Sequence, residues 1–174
     1  MQCISKGKAH QRYEFGQKVA LATTNRSNWI VAARLLEDNP YDGHTLTETL
    51  KATESITGVD VSDVYVDKGY RGHGCGRPTR VHIAGSSSKN ISRSERKRRR
   101  RRSAIEPKIG HLKSDHRVRR CFLSGLEGDA INIVLAAAAA NLRKLLAGFC
   151  PALHAWLTRP LEPRRTRACP TPSP

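Results

Sequence analysis

Along this chain the spacing of apolar positions changes period several times. YEFGQKVALATT (13–24) alternates apolar and polar residues and predicts a strand, and WIVAARLLE (29–37), rich in branched side chains, predicts a second. The polar NRSN between them makes a turn, so the two read as a hairpin. NPYDGH (39–44) is turn chemistry, with Pro40, Asp42 and Gly43. It leads into TLTETLKATESITG (45–58), where Leu46, Leu50 and Ile56 form a weak helical stripe and Gly58 is placed to cap it. DVYVDKGYRG (63–72) returns to strand period, and RVHIAG (80–85) is a short further strand. No strand is expected in residues 1–12. SSSKNISRSERKRRRRR (86–102) is polar, charged and low in complexity, which predicts a mobile basic segment, either a loop or a solvated helix start. GDAINIVLAAAAANLRKLLAG (128–148) is the strongest helical pattern, rich in Ala and Leu. From 149 to 174 the density of Pro and Arg rises, and that segment reads as a disordered tail. Hairpin, helix, two strands and helix describe an α/β layer with helices on a central sheet.

Composition narrows the partner more than the fold. At 174 residues, with 38% apolar and only 5% aromatic content, the chain holds one domain with a modest core plus its tail. A net charge of +16 implies a large polyanion as partner. The sequence has no run of 18 apolar residues and MQCISKGKAH lacks the apolar core of a signal peptide, so the expected polyanion is nucleic acid, with no membrane, in a cytoplasmic protein. The aromatics are too sparse for base stacking along a single strand. The five cysteines are odd in number, scattered and without a CxxC pair, which argues against a disulfide framework. HGCG (73–76), even with His111 and His116, lacks the second Cys pair that a structural zinc site needs.

Two acids stand where chemistry could be built. In DVYVDKGYRG, Val64 and Val66 face one way and Tyr65 and Asp67 the other, so Asp67 leaves the strand where Gly69 breaks it. A carboxylate at a strand end is well placed to hold a divalent ion, since ligand sites of open α/β sheets lie there. The alternative is that Asp67 opens a turn with Lys68 and Gly69. Glu106 lies among bases. On a continuous helix Lys113, seven positions on, shares its face, and Arg102 and Arg117 extend that line by four residues each way. Glu106 could then ligate a metal while the bases grip phosphates. Two structural alternatives remain: Ser103 with Glu106 fits an S-x-x-E capping box, and Pro107 can mark the true helix start, leaving Arg102 off the axis. The run Arg98, Arg99, Arg100, Arg101 and Arg102 has DNA backbone contact as its natural use.

CISKGKAHQRYEFGQKVALAT, EDNPYDGHTL, VYVDKGYRG and the block from RSAIEPKIGHLKSDHRVRR to LEGDAINIVLAAAAANLRKLL resemble, in order, the motifs of one group of bacterial insertion-sequence transposases of the DDE type. The resemblance implies an RNase H-like mixed sheet with flanking helices over residues 1–148. It also implies a triad of two aspartates and one glutamate on Mg²⁺, and strand transfer on the double-stranded DNA ends of a transposon by a nucleoid-associated protein. Asp67 matches the second aspartate and Glu106 the glutamate, both as metal ligands. Arg102 and Lys113 match the bases of the family's R-x-x-x-E-x-x-x-x-x-x-K signature, and Arg99 replaces the tyrosine that usually precedes it. The family's first aspartate lies on a strand upstream of the segment that begins here as MQCISKGKAH. The resemblance therefore implies an N-terminally truncated transposase that binds Mg²⁺ weakly and is inert alone. A non-catalytic DNA-binding protein that competes with an intact transposase for ends or subunits is the alternative.

Overall fold

The computed structural model describes residues 2–8, 11–86, 91–152 and 155, with side chains from Gly16 onward. Six strands and four helices follow one another as β1 (Gln2–Lys8), β2 (Gln11–Gly16), β3 (Lys18–Thr23), β4 (Ile30–Leu36), α1 (Asp42–Thr57), β5 (Asp63–Val66), β6 (Arg80–Ile83), α2 (Arg93–Arg101), α3 (Ile105–Ser114) and α4 (Gly125–Phe149). The chain is mixed α/β, as its periods predict. The strands pair two by two, β1 with β2 and β3 with β4 antiparallel, β5 with β6 parallel. This differs from the single central sheet read from the sequence.

The expected hairpin is β3 and β4, with Leu21 opposite Ala33. The long strand read over 13–24 is interrupted at Gln17, and its first part pairs instead with Gln2–Lys8. The expectation of no strand in residues 1–12 is therefore corrected. That stretch is short and polar, and the ladder to β2 supplies the backbone hydrogen bonds that its own apolar pattern does not advertise. Part of the basic segment read over 86–102 is helical, as α2, while 87–90 lie outside the described residues. Most of the tail read over 149–174 also lies outside them.

Helix α1 is rich in Thr, a residue of modest helix propensity. Its hydroxyls are satisfied inside the helix: Thr49 donates to Thr45 O, Thr53 to Thr49 O and Thr57 to Thr53 O, each at 2.8 Å. Gly58 ends the helix at φ 66°, a left-handed position suited to glycine, and its N–H bonds Glu54 O at 2.8 Å. The buried side of α1, Leu46 and Leu50, packs with Val66 of β5, and Val64, Val81 and Ile83 close around them.

A second core cluster joins Ile30 of β4 to Leu112 of α3 and to Ala136, Ala137 and Ala140 of α4. The alanines let α4 lie close to the hairpin, and Asn141 fastens it there. Asn141 Oδ1 accepts from Ile30 N at 3.0 Å and its Nδ2 donates to Ile30 O at 2.8 Å. By length and composition α4 could also cross a bilayer. One stripe of α4 packs on the hairpin, while Ile131, Val134, Leu135 and Leu142 on the rest of the helix are exposed. Residues up to Asn141 form one compact unit, and those from Leu142 on a second small one.

Candidate active site and nucleic-acid interface

Asp67 follows the last residue of β5 in extended conformation and opens a 3₁₀ turn over Lys68–Tyr70, its Oδ1 accepting from Lys68 N at 2.7 Å. Asp67 thus stands at the strand end and also opens the turn. The two faces of β5 separate as its alternation predicts, with Val64 and Val66 in the core and Tyr65 turned toward α2. Gly69 is held by a close approach: a Cβ there would fall 2.6 Å from Asp42 Oδ2. Asp42 itself pairs with Lys18 at 2.6 Å.

Glu106 lies in the first turn of α3, and the path of the chain just before it is set by Pro107. Proline has no N–H to offer Ser103 O, and its ring crowds that carbonyl. Helix α2 accordingly gives way to a 3₁₀ turn over Arg102–Ala104 before α3 begins at Ile105. The capping-box alternative is not adopted, since Ser103 Oγ donates to Arg100 O at 2.7 Å. Nor does Pro107 start the helix. Arg102 stays on the inner side, only 23% exposed, with Nη1 3.6 Å from Asp67 Oδ1 and Nη2 4.0 Å from Glu106 Oε1. One guanidinium therefore bridges two carboxylates from separate elements, and both carboxylates are open to solvent, at 66% and 69%.

Lys113 is exposed in the last turn of α3. Arg117 is not on that helix: α3 ends at Ser114, and Arg117 sits in the following loop at φ 56°. The line of bases read from helical spacing thus stops at Lys113, because the helix is too short to carry it further. On α2, Arg98 and Arg100 are exposed and Arg101 half-buried. Arg99 turns inward instead, donating from Nε to Glu95 Oε1 at 3.1 Å and from Nη1 to Ser86 O at 3.0 Å. Two asparagines of the β3–β4 turn hold the carbonyl side of this region, Asn25 to Arg98 O at 2.9 Å and Asn28 to Ala104 O at 3.2 Å.

Sequence reasoning missed a polar network beside this site. Asp63, Tyr65, His82 and Glu95 lie between β5, β6 and α2: Tyr65 Oη donates to Glu95 Oε2 at 2.9 Å, His82 Nε2 meets Asp63 Oδ1 at 2.8 Å, and the Tyr65 and His82 rings stack at 4.7 Å. Period two along β5 puts Asp63 and Tyr65 on the face of Asp67, and Ser92-x-x-Glu95 is a capping-box pattern, so signals for it existed. The hydrogen bond to His82 holds the Asp63 carboxyl below its usual range. Burial pushes Glu95 up, but hydrogen bonds from Arg99 and Tyr65 outweigh it and leave Glu95 lowered. Carboxylates lowered on folding contribute stability above their unfolded values, 3.8 and 4.5, that is lost as pH falls through the lowered ones. Acid titration followed by circular dichroism should therefore show α2 loosening below about pH 4, with no such step between pH 5 and 7. A step only above pH 5 would assign the transition to other groups.

Residues 78–146 match a family model described as a transposase DDE domain. This stretch is similar to a transposase DDE domain. It holds β6, α2, α3 and most of α4, and with them Arg102, Glu106 and Lys113; Asp67 lies just outside it. No curated protein and no solved structure matches the chain. The family works on DNA and depends on divalent metal ions. The donors fit such an ion, since hard carboxylate oxygens suit Mg²⁺, which commonly takes one or two carboxylates and completes its shell with water and substrate phosphates. Among the described residues no cluster of three or more His, Cys, Asp or Glu is formed that could hold a metal. Two carboxylates fit a single ion more readily than a two-ion cage.

Proposed function

We propose that this chain serves DNA transposition by binding duplex DNA with the outward bases of α2 while presenting Asp67 and Glu106 to the bound backbone, in the RNase H-like arrangement of the family. The observation that carries this reading is Arg102, which gathers the two carboxylates from β5 and α3 into one place. Asp67 is oriented by the Lys68 amide, and Glu106 by its place at the start of α3. Arg102 and Lys113 can pair with phosphate oxygens on either side of the carboxylates. A Mg²⁺ ion held by Asp67 and Glu106 would supply charge stabilisation at a phosphate and a more acidic bound hydroxyl. Among the described residues no third acid joins this pair in a metal-holding cluster, and the chain by itself is expected not to cut or join strands.

A second reading, a non-catalytic DNA-binding protein that competes with intact transposase for ends or subunits, is favoured by the same bridge. The Arg102 guanidinium lies within ion-pair range of both carboxylates with no metal between them. One set of measurements separates the cases. Binding to duplex DNA should show little sequence preference, with log K falling against log[salt] at a slope of about −5 for roughly six phosphates. Plasmid incubated with the chain and Mg²⁺ or Mn²⁺ should stay intact. A slope near zero would remove the DNA reading, and nicking abolished by Asp67→Ala would show that the two carboxylates suffice for catalysis.

A further inference from the structure

Helix α2 carries Arg93, Arg96, Lys97, Arg98, Arg99, Arg100 and Arg101 against a single acid, Glu95. A helix of that composition has no apolar stripe to bury, and none of its residues is buried. Its orientation must come from polar contacts. Glu95 occupies the third helical position after the Ser92 cap, where Ser92 Oγ accepts from Glu95 N at 3.2 Å. In a capping box the glutamate turns back to the cap. Here its carboxylate points outward to the β5–β6 pair, meeting Tyr65 Oη at 2.9 Å and lying 3.5 Å from His82 Nδ1, while Arg99 closes over it. The side chain of Glu95 is only 18% exposed.

Helical spacing makes this contact consequential. Glu95, Arg99, Arg102 and Glu106 are separated by four, three and four positions and so follow one side of the α2–α3 path. On β5, Tyr65 and Asp67 share a face two residues apart. Tyr65 meets Glu95, and Asp67 meets Arg102. The strand and the helix are thus joined at two points, of which the Glu95 point is the more enclosed.

We propose that Glu95 is a positioning residue: by docking on Tyr65 and His82 it fixes the rotation of α2, which places Arg102 between Asp67 and Glu106 and leaves Arg96, Lys97 and Arg100 facing outward. Its importance to DNA rests on the function proposed above, but the docking itself does not. Without Glu95 the arginine helix would keep its charge and lose its direction.

The test uses the full chain and reads Arg102 directly. Placed between two carboxylates, the Arg102 guanidinium should give ¹⁵N side-chain signals resolved from those of the outward arginines. In Glu95→Ala these should average, and amide exchange over 96–104 should quicken on the order of tenfold, while β3 and β4 keep their protection. Glu95→Gln, which keeps an acceptor for Tyr65 and Arg99, should restore most of both readouts, as a purely electrostatic contribution would not. Should Glu95→Ala unfold the whole chain, Tyr65→Phe decides, since it removes one hydroxyl only and should produce the same averaging at Arg102. Unchanged Arg102 signals in Glu95→Ala or, where that variant unfolds, in Tyr65→Phe would overturn the proposal. If the unaltered chain fails to bind DNA, the proposed function is lost while the Arg102 readouts still judge the positioning role.

Discussion

Replacing Leu112 by alanine is expected to lower the unfolding free energy by about 2–5 kcal/mol. Leu112 is the buried residue of α3, 3% exposed, and it meets Ile30 of β4 and Ala136, Ala137 and Ala140 of α4. Three of those four neighbours are alanines, which have no side-chain freedom with which to fill the space left behind. The cavity should therefore persist, and the cost should lie in the upper half of that range. Domains of this size are commonly stable by only about 5–15 kcal/mol, so the loss is a large share of the whole. Urea denaturation of the variant would measure it. Ile109→Ala, on the same helix but 38% exposed, is the control and should cost about 1 kcal/mol or less. A loss for Leu112→Ala no greater than the control would mean that α3 is not anchored through this contact.

The anchoring matters because α3 carries Glu106. Leu112 is the buried residue of α3, the others being exposed or half-buried, and Pro107 offers no N–H at the start of the helix. The Leu112 cluster and the Asn28 contact to Ala104 O are what set Glu106 near the end of β5. Packing thus determines the chemistry.

How much of this could be read in the sequence depends on the range over which each interaction acts. The β3–β4 hairpin, α1 with its Gly58 cap and α4 were legible, since alternation, helical stripes and cap residues are local signals. Strand β1 was not, because its partner rather than its own pattern makes it a strand. Asp67 and Glu106 could be nominated separately, one by strand direction and the other by its surrounding bases. Their meeting through Arg102 was not legible from spacing, for it depends on the break that Pro107 imposes and on the docking of α2. The network of Asp63, Tyr65, His82 and Glu95 went unread for a related reason. A run of arginines looks like a solvated face, and a lone glutamate within it looks like solubility chemistry until the parallel pairing of β5 and β6 places His82 beside Asp63.

The same docking sorts the arginine run into inner and outer members, and the outer ones should carry the largest effect on binding. Arg93, Arg96, Lys97 and Arg100 are exposed on α2, whereas Arg99 and Arg102 are committed to Glu95 and to the two carboxylates. Each phosphate neutralised contributes about 0.9 to the slope of log K against log[salt]. Replacing these four residues by alanine should therefore flatten the slope from about −5 to about −1.5 and weaken binding near 0.1 M salt on the order of 10³-fold. Asp67→Ala removes a negative charge and no base, so it should leave the slope nearly unchanged. Arg99→Ala should affect the slope less than any of the four, because its guanidinium is turned to Glu95 and Ser86 O rather than outward. Fluorescence anisotropy of a labelled duplex across salt concentrations would measure all three. A quadruple variant with an unaltered slope would move the DNA-binding surface off α2, and a large effect of Arg99→Ala would show that α2 rotates on DNA and exposes the face that now docks against β5.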